Sequence, residues 1–309
     1  MADNLRLTHP WMVAAWPGMG HVGLNAAIYL LAKLHMTVLA EFEVGDLFDV
    51  DQVEVTDGII QAGRRPRNRL FLWTDPHHLH DLVVFLGEAQ PPLGKYAFCR
   101  QLIAHAKTIG VERVLTFAAM ATQMHPENPS RLFAAATDRD SLEEVKRADL
   151  EVLENGQISG LNGVLLGAAV EAGMRGACLL GEMPHIFSQL PFPKASLAIL
   201  EVFTTMAKID LDLAELSEQA RQMEEQLSEL LAQMEKSYGQ SLTSEDESAS
   251  PDPAEPERLA SDDARHIESL FVEAVKDRSK SFELKKELDR LGVFKDYEDR
   301  FLDLFTKRQ

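Results

Sequence analysis

The chain has 309 residues, 45% of them hydrophobic, and a formal net charge of −18 at pH 7. This length predicts one sizeable core with residues left for an extension, and the charge argues against nucleic acid as a partner because phosphate-backbone binding needs a basic face. No stretch stays apolar for about 18 residues and no leader pattern opens the chain, so we expect a soluble, cytoplasmic protein that contacts no membrane.

Short apolar runs alternate with amphipathic stretches between residues 11 and 208. Runs that are short and apolar on both faces are typical of buried strands, and the runs of this kind are WMVAAW, TVLAEFEV, RLFLWTD, RVLTFAA, RLFAAAT and GACLLGE. Helices are predicted at residues 22–34, 95–109, 139–153, 163–172 and 194–207. Strand and helix in alternation predict a three-layer α/β/α core over residues 1–208, with a mostly parallel sheet.

Residues 209–238 differ in composition from the preceding segment and are rich in Glu, Gln and Leu. A stripe of apolar residues recurs at alternating spacings of three and four, and we call it the heptad stripe. Its members are Leu213, Leu216, Ala220, Met223, Leu227, Leu230 and Met234. This spacing predicts a helix whose stripe needs a partner, as in a coiled coil. The stripe could pair subunits or embrace a partner protein, or it could pack on its own domain, and the spacing leaves both readings open.

The remaining residues divide into a linker and a helical segment. Residues 239–263 are acidic, contain prolines and lack aromatic residues, which predicts a flexible linker because such a composition buries too little surface to order itself. Residues 264–309 predict two helical stretches separated at Gly292. A segment this short does not fold alone, so we expect it to dock on the core or on a neighbouring subunit.

A GxGxxG pattern lies between the first predicted strand and helix. Its glycines are Gly18, Gly20 and Gly23, and Glu41 and Glu43 end the next strand. In dinucleotide-binding folds such glycines let the backbone approach a pyrophosphate, and the acid holds a ribose. The alternative is a tight turn that requires small residues. We favour the turn, because Pro17 precedes the loop and the βαβ rhythm does not resume after the acids.

Other polar clusters fall short of a recognisable site. Residues 75–81 (DPHHLHD) are rich in metal-ligand types, but adjacent His77 and His78 do not easily reach one ion, so a polar loop is expected and no metal. Cys99 and Cys178 lie in a predicted helix and a predicted buried strand and are expected to be reduced and structural.

No arrangement typical of nucleophilic catalysis is present. The possible catalytic residues are Ser159, Asn162, Glu182, His185 and His125. Ser159 is not in a G-x-S-x-G turn and no triad is recognisable. The glycines around Ser159 instead predict a turn into a helix whose backbone lies close to a neighbour, and they are Gly156, Gly160, Gly163 and Gly167.

Three segments, in this order, resemble the PAC2 family, the proteasome-assembly-chaperone-like proteins. They are WPGMGHVGLNAAIYLL, the stretch from GQISGLNG to TTMAKIDLDL, and FELKKELDRLGVFKDYEDRFLDLF. The resemblance implies a phosphorylase/hydrolase-like α/β/α core with a C-terminal helical extension and a tendency to form homo-oligomers. Relatives help assemble or bind the proteasome core particle and have no established enzymatic activity.

The resemblance implies a non-catalytic, oligomeric protein-binding module without a cofactor, whose partners are itself and proteasome subunits or another protein complex. The alternative is a small-molecule or nucleotide-binding enzyme that uses the Gly18–Gly23 loop, since phosphorylase-like enzymes bind substrates at this edge of the fold. The ligand pocket would then contain Gly18, Gly20, His21, Gly23, Ser159, Gly160, Asn162 and Glu182.

Some archaeal relatives insert a C-terminal hydrophobic–tyrosine–any tripeptide into the proteasome ring. This chain ends Lys307-Arg308-Gln309, so docking by that route is not expected.

Overall fold

The computed structural model describes most of the chain. The described residues are 6–44, 47–50, 53–148, 150–241 and 261–305, and the side chains of 235–241 and 261–262 are not described. Most of the predicted linker and the last four residues therefore lie outside the described residues.

Ten strands are present in this part of the chain. They are β1 (Trp11–Ala15), β2 (Thr37–Glu41), β3 (Val55–Thr56), β4 (Ile59–Ile60), β5 (Asn68–Trp73), β6 (Leu82–Gly87), β7 (Arg113–Thr122), β8 (Leu132–Ala136), β9 (Glu151–Val152) and β10 (Arg175–Pro184). Eight of them form one sheet in the order β2-β5-β6-β1-β7-β10-β8-β9, and β3 and β4 form a separate hairpin.

The centre of the large sheet is parallel and its edges are not. Strands β6, β1, β7 and β10 run parallel to one another, while β5 is antiparallel to β6 and β2, and β8 is antiparallel to β10. The predicted mostly parallel sheet is thus a mixed sheet. Strand β6, whose six residues are all buried, was not among the predicted runs, although it lies next to the central β1.

Nine α-helices are present in the described residues. They are α1 (Val22–Lys33), α2 (Lys95–Thr108), α3 (Arg139–Arg147), α4 (Gly160–Glu171), α5 (Pro193–Ala207), α6 (Ala214–Ser241), α7 (Ser261–Lys276), α8 (Ser281–Arg290) and α9 (Phe294–Asp303). The prediction of one helix over 139–153 is wrong, because α3 ends at Arg147 and the chain then forms the edge strand β9. The start of α3 is fixed by Asp138, whose carboxylate accepts a hydrogen bond of 2.9 Å from the Ser141 backbone N–H.

Helices cover both faces of the sheet, as a three-layer fold requires. Apolar side chains of α2 and α4 pack on one face, and those of α1, α3 and α5 pack on the other. Helix α1 is buried from Val22 to Ala32, which is unusual for an outer helix because such helices normally keep one face in water. Its outer side is covered by the C-terminal helices, where Phe282 contacts Tyr29 edge-on at 4.4 Å between ring centroids.

The segment 261–305 docks on the core of its own chain. Gly292, with a φ of +69°, separates α8 from α9 at the predicted break, and a second break at Arg278–Lys280 separates α7 from α8. Phe305 is fully buried, and its carbonyl accepts a 3.0 Å hydrogen bond from the backbone N–H of Val38. The last described residue, Phe305, is therefore hydrogen-bonded to the edge strand β2. Searched over the described residues, no helix is both long and apolar enough to cross a membrane.

Candidate functional site

A cavity of about 630 Å³ opens at the carboxyl ends of β1 and β7, beside the first turn of α4. Its walls include Trp16, Gly18, Met19, Gly23, Gln90, the segment 117–121, the segment 155–160, Asn162 and Leu180. The chain runs from β1 through α1 on one face of the sheet, and from β6 through α2 on the other face to β7. Ligands of open α/β sheets bind where successive connections diverge in this way.

The glycine loop forms one side of this cavity and is held by packing. Gly20 has a φ of +57°, its N–H donates to the Ser188 carbonyl at 2.8 Å, and its carbonyl accepts from the Phe192 N–H at 2.9 Å. A Cβ on Gly23 would lie 2.3 Å from the carbonyl oxygen of Phe117. Two of the three glycines are thus required by the turn and by the close approach of α1 to β7, as the tight-turn interpretation predicts.

The strand order separates the loop from the acids that a dinucleotide site would need. Strand β2 lies at the sheet edge, with β5 and β6 between it and β1, whereas a dinucleotide fold places the second strand beside the first. Glu41, at the end of β2, forms an ion pair with Arg67. The GxGxxG pattern therefore lacks the acidic side chain on an adjacent strand that would hold a ribose.

The polar wall of the cavity is formed by the start of α4 and by Gln90, which is hydrogen-bonded to it. Gln90, which the sequence did not single out, donates from Nε2 to the Pro17 carbonyl at 3.2 Å and accepts at Oε1 from the Leu161 N–H at 3.2 Å. Ser159 is the N-cap residue of α4, but its side chain makes no capping hydrogen bond. The Oδ1 atom of Asn162 is buried without a hydrogen-bond partner. Ser159, Gly160 and Asn162 thus meet Gly18 and Gly23 at one cavity.

Glu182 was predicted with these residues but lies outside the cavity lining. It accepts two hydrogen bonds of 2.8 Å from the guanidinium of Arg131 and one of 2.7 Å from the Thr122 hydroxyl. The Arg131 hydrogen bonds keep the pKa of the Glu182 carboxyl below its usual range despite its burial. Glu182 is therefore a structural ion-pair partner that joins β10 to the residue preceding β8.

His21 and Gly20 also lie outside the cavity lining. The His21 side chain belongs to a polar cluster under α8. Burial and the nearby ammonium of Lys285 lower the pKa of the His21 imidazole, and its Nδ1 atom is buried without a hydrogen-bond partner. Lys285 is itself only 1% exposed and forms an ion pair with Asp289. His21 thus faces the interface between α1 and the C-terminal helices.

The histidine-rich segment after β5 forms a polar turn, as predicted. The Asp75 carboxylate accepts hydrogen bonds from the backbone N–H groups of His77 at 2.9 Å and Leu79 at 2.7 Å. The ring of His80 stacks on Trp11 at 4.4 Å between centroids. Across the described residues, no group of three or more His, Cys, Asp or Glu side chains has an arrangement that could hold a metal ion.

The heptad stripe divides into a buried part and an exposed part. Leu216, Ala220 and Leu227 are buried in the chain's own core, and Leu213 and Met223 pack against that core. Leu230 and Met234 are 40% and 39% exposed. The first part of the stripe thus packs on its own domain, whereas Leu230 and Met234 present apolar side chains to solvent.

An ion-pair network fastens α9 to the sheet. Three arginines, Arg64, Arg67 and Arg69, lie within 3.7 Å of the Asp299 carboxylate, and Arg64 also donates to Glu88 at 2.8 Å. Glu88 is 2% exposed. Burial, followed by the neighbouring Asp299 carboxylate, raises the pKa of Glu88 to about 7. No motif pointed to this network, because Arg64 and Asp299 are 235 residues apart in the sequence (299 − 64).

Solved structures share this architecture. The chain is similar to the crystal structure of Pyrococcus furiosus PbaB, described as an archaeal proteasome activator, with a TM-score of 0.63, 26% identity and coverage of 74% of this chain and 96% of that one. A PAC2 family protein from Streptomyces avermitilis gives a TM-score of 0.60 and 26% identity, covering 72% of this chain and 95% of that one. These likenesses define an α/β fold with added C-terminal helices.

The family model of the PAC2 family matches residues 12–231, and the chain belongs to that family. A relative in Methanocaldococcus jannaschii, an uncharacterised protein, is 26% identical over 229 residues, which cover 71% of this chain and 82% of the relative. The match includes the glycine loop, the cavity and α6 as far as residue 231. Residues 282–305, the third segment whose sequence resembles the family, lie outside the matched range.

Proposed function

We propose that this protein is a non-catalytic, proteasome-assembly-chaperone-like module that associates with itself and binds a protein complex. Membership of the PAC2 family carries the proposal. Additional support comes from the structural likeness to PbaB, described as a proteasome activator, over 96% of that chain. The proteasome core particle is the first partner to test.

The exposed end of the heptad stripe is the surface that we assign to the partner. Leu230 and Met234 lie four residues apart on α6 and therefore on one side of the helix. Both are about 40% exposed although the stripe behind them is buried. Apolar anchors that continue a buried seam into solvent suit a protein interface, where a few central apolar side chains contribute most of the binding energy.

The geometry favours binding over catalysis. Both carboxylate oxygens of Glu182 are engaged by Arg131. Within the described residues, the Ser159 hydroxyl has no hydrogen bond to a histidine or a carboxylate, which a serine nucleophile would need. His185 bonds through Nδ1 to the Thr122 carbonyl at 3.2 Å. An enzyme using the Gly18–Gly23 loop would have to recruit its acid and base from other positions.

The test uses the full chain with Leu230→Glu and Met234→Glu introduced together. We expect light scattering to show a smaller assembly than for the unchanged protein, and native gels to show weaker binding to the proteasome core particle of the source organism. The matched control is Val272→Glu with Val275→Glu, since these side chains on α7 are also exposed, by 53% and 46%. An unchanged mass and unchanged binding in the α6 variant would remove this surface from the proposal. Failure of the unchanged protein to bind the core particle would exclude the proteasome as partner.

A further inference from the structure

The loops at the carboxyl edge of the sheet carry exposed apolar side chains. Strands β6, β1 and β10 belong to the parallel centre of the sheet, so the loops that follow them lie at one edge. Leu93, in the loop after β6, is 81% exposed, and Met19, after β1, is 45% exposed. The loop after β10 adds Ile186 and Leu190, which are 46% and 40% exposed.

Two of these loops are joined through the backbone. The Gly20 N–H donates to the Ser188 carbonyl at 2.8 Å, and the Gly20 carbonyl accepts from the Phe192 N–H at 2.9 Å. Met19 therefore lies beside the loop after β10, and it also lines the cavity of about 630 Å³. The apolar side chains of the two loops thus form one patch next to the cavity.

The same loops lack charged side chains. Residues 16–21, 89–94 and 185–192, together with residues 155–160 on the cavity wall, contain no Asp, Glu, Lys or Arg, although these four types make up 26% of the chain. We call this surface the uncharged edge. Exposed apolar patches on soluble proteins mark places where another molecule binds.

The absence of charge indicates which molecule this is. The net charge of −18 makes two copies of the chain repel each other, and the repulsion is weakest where neither surface carries an acid. A two-fold contact brings a surface against itself, so apolar side chains meet apolar side chains at the uncharged edge. A basic partner protein would instead be attracted to the acidic parts of the surface.

Another group of exposed apolar side chains does not meet this condition. On the hairpin β3–β4, Val55, Ile59 and Ile60 are 64%, 65% and 70% exposed. Residues 41–58 contain seven acidic residues and no basic residue. Two copies that met at the hairpin would therefore place like charges opposite one another, which is costly.

We propose that the uncharged edge is a two-fold interface between two copies of this chain, which buries Leu93 and Leu190. The inference rests on the self-association in the proposed function and gives it a location. It does not depend on binding to the proteasome core particle.

The experiment uses two variants of the full chain, one with Leu93→Glu and Leu190→Glu, the other with Leu93→Lys and Leu190→Lys. Both positions are exposed, so the variants should fold. Sedimentation velocity measures the assembled mass, which is 34.5 kDa for one copy. We expect the dissociation constant of the contact to rise by about 100-fold or more in each variant, because like charges then meet across the two-fold axis. An equimolar mixture should recover the mass of the unchanged protein, because opposite charges then meet.

The matched control is again Val272→Glu with Val275→Glu on α7, which should keep its mass. The inference is overturned if the Leu93, Leu190 variants keep the mass of the unchanged protein, if the control loses mass equally, or if the mixture fails to recover it. An unchanged protein that is monomeric at about 100 μM would overturn this interface and the proposed self-association together. Binding to the core particle, which native gels measure separately, would not be affected by that result.

Discussion

The ammonium of Lys285 lies 3.9 Å from the centre of the Phe294 ring. This buried cation also donates to the Asn25 side chain at 3.2 Å and pairs with Asp289. It thus joins α8 to α1 and to α9. A buried ion pair is costly to break, because removing one partner leaves the other charge unpaired away from water.

We predict that Lys285→Met lowers the free energy of unfolding by about 3 kcal/mol, since Asp289, whose side chain is 7% exposed, would lose its partner. Urea denaturation followed by circular dichroism measures the change. The double variant Lys285→Met, Asp289→Leu should recover most of the loss, because it removes both charges. If the double variant is less stable than the single one, the ion pair is not the source of the effect.

The division of the heptad stripe predicts unequal effects along α6. Leu216→Ala should destabilise the protein by about 2–5 kcal/mol, because Leu216 is fully buried and its truncation leaves a cavity. Leu230→Ala should cost less than about 1 kcal/mol, because this side chain is 40% exposed. Denaturation at protein concentrations low enough to prevent self-association compares the two. Equal losses would contradict the division of the stripe.

Gly23→Ala should be poorly tolerated because its methyl group would meet the Phe117 carbonyl, 2.3 Å away. We expect a loss of at least about 2 kcal/mol in unfolding free energy from overpacking. The control Gly167→Ala, in open space on a helix, should stabilise the protein slightly, by about 0.5–1 kcal/mol. Thermal unfolding of both variants tests the contrast. A neutral Gly23→Ala would mean that the close approach of α1 to β7 is not rigid.

The two cysteines should be unreactive in the native protein. Both are fully buried, and burial raises the pKa of the Cys99 and Cys178 thiols to about 12, which leaves almost no thiolate at pH 8. A colorimetric disulfide reagent should therefore detect no thiol in the folded chain and two after unfolding in guanidinium. Rapid labelling without denaturant would show that one of the surrounding helices opens readily.

The stability of α9 should depend on pH through Glu88. Its pKa of about 7 in the folded protein exceeds the value of about 4.3 in an unfolded chain, so the folded state holds the proton more tightly. Its contribution to stability is full below pH 4.3 and is lost as the pH rises to about 7 and above.

Glu88→Gln keeps a hydrogen-bond donor for Asp299 and removes this titration. We expect a flatter stability profile between pH 4.5 and 7.5, with the difference from the unchanged protein varying by about 3 kcal/mol over that range. Urea unfolding at closely spaced pH values measures it. Parallel profiles for the two proteins would show that another group titrates there.

Local patterns predicted most strands and helices but not which strands lie next to one another in the sheet. The runs around Trp11 and Cys178 were identified as buried strands because their apolar character is visible in a short window. Whether two strands pair depends on contacts far along the chain. The sequence therefore did not reveal that β2 is separated from β1, and this separation removes Glu41 from the glycine loop.

The candidate site was predictable in part for the same reason. Gly18, Ser159 and Asn162 were singled out by their glycine-rich surroundings and do meet at one cavity. Gln90 was missed because a lone glutamine after a strand carries no pattern. Glu182 is predicted as a possible catalytic and pocket residue, but its partner Arg131, 51 residues away, is visible only in the fold.

The covering of α1 by the C-terminal helices also orders events during synthesis. Helix α1 leaves the ribosome early. The contact between Asn25 on this helix and Lys285 can form only after another 260 residues have been synthesised. Until then the apolar outer side of α1, around Tyr29, is exposed in the nascent chain, and such surfaces make incomplete folds prone to aggregation. A chain truncated before residue 261 would keep that exposure permanently, so quality-control proteases should remove truncated products of this protein faster than the complete one.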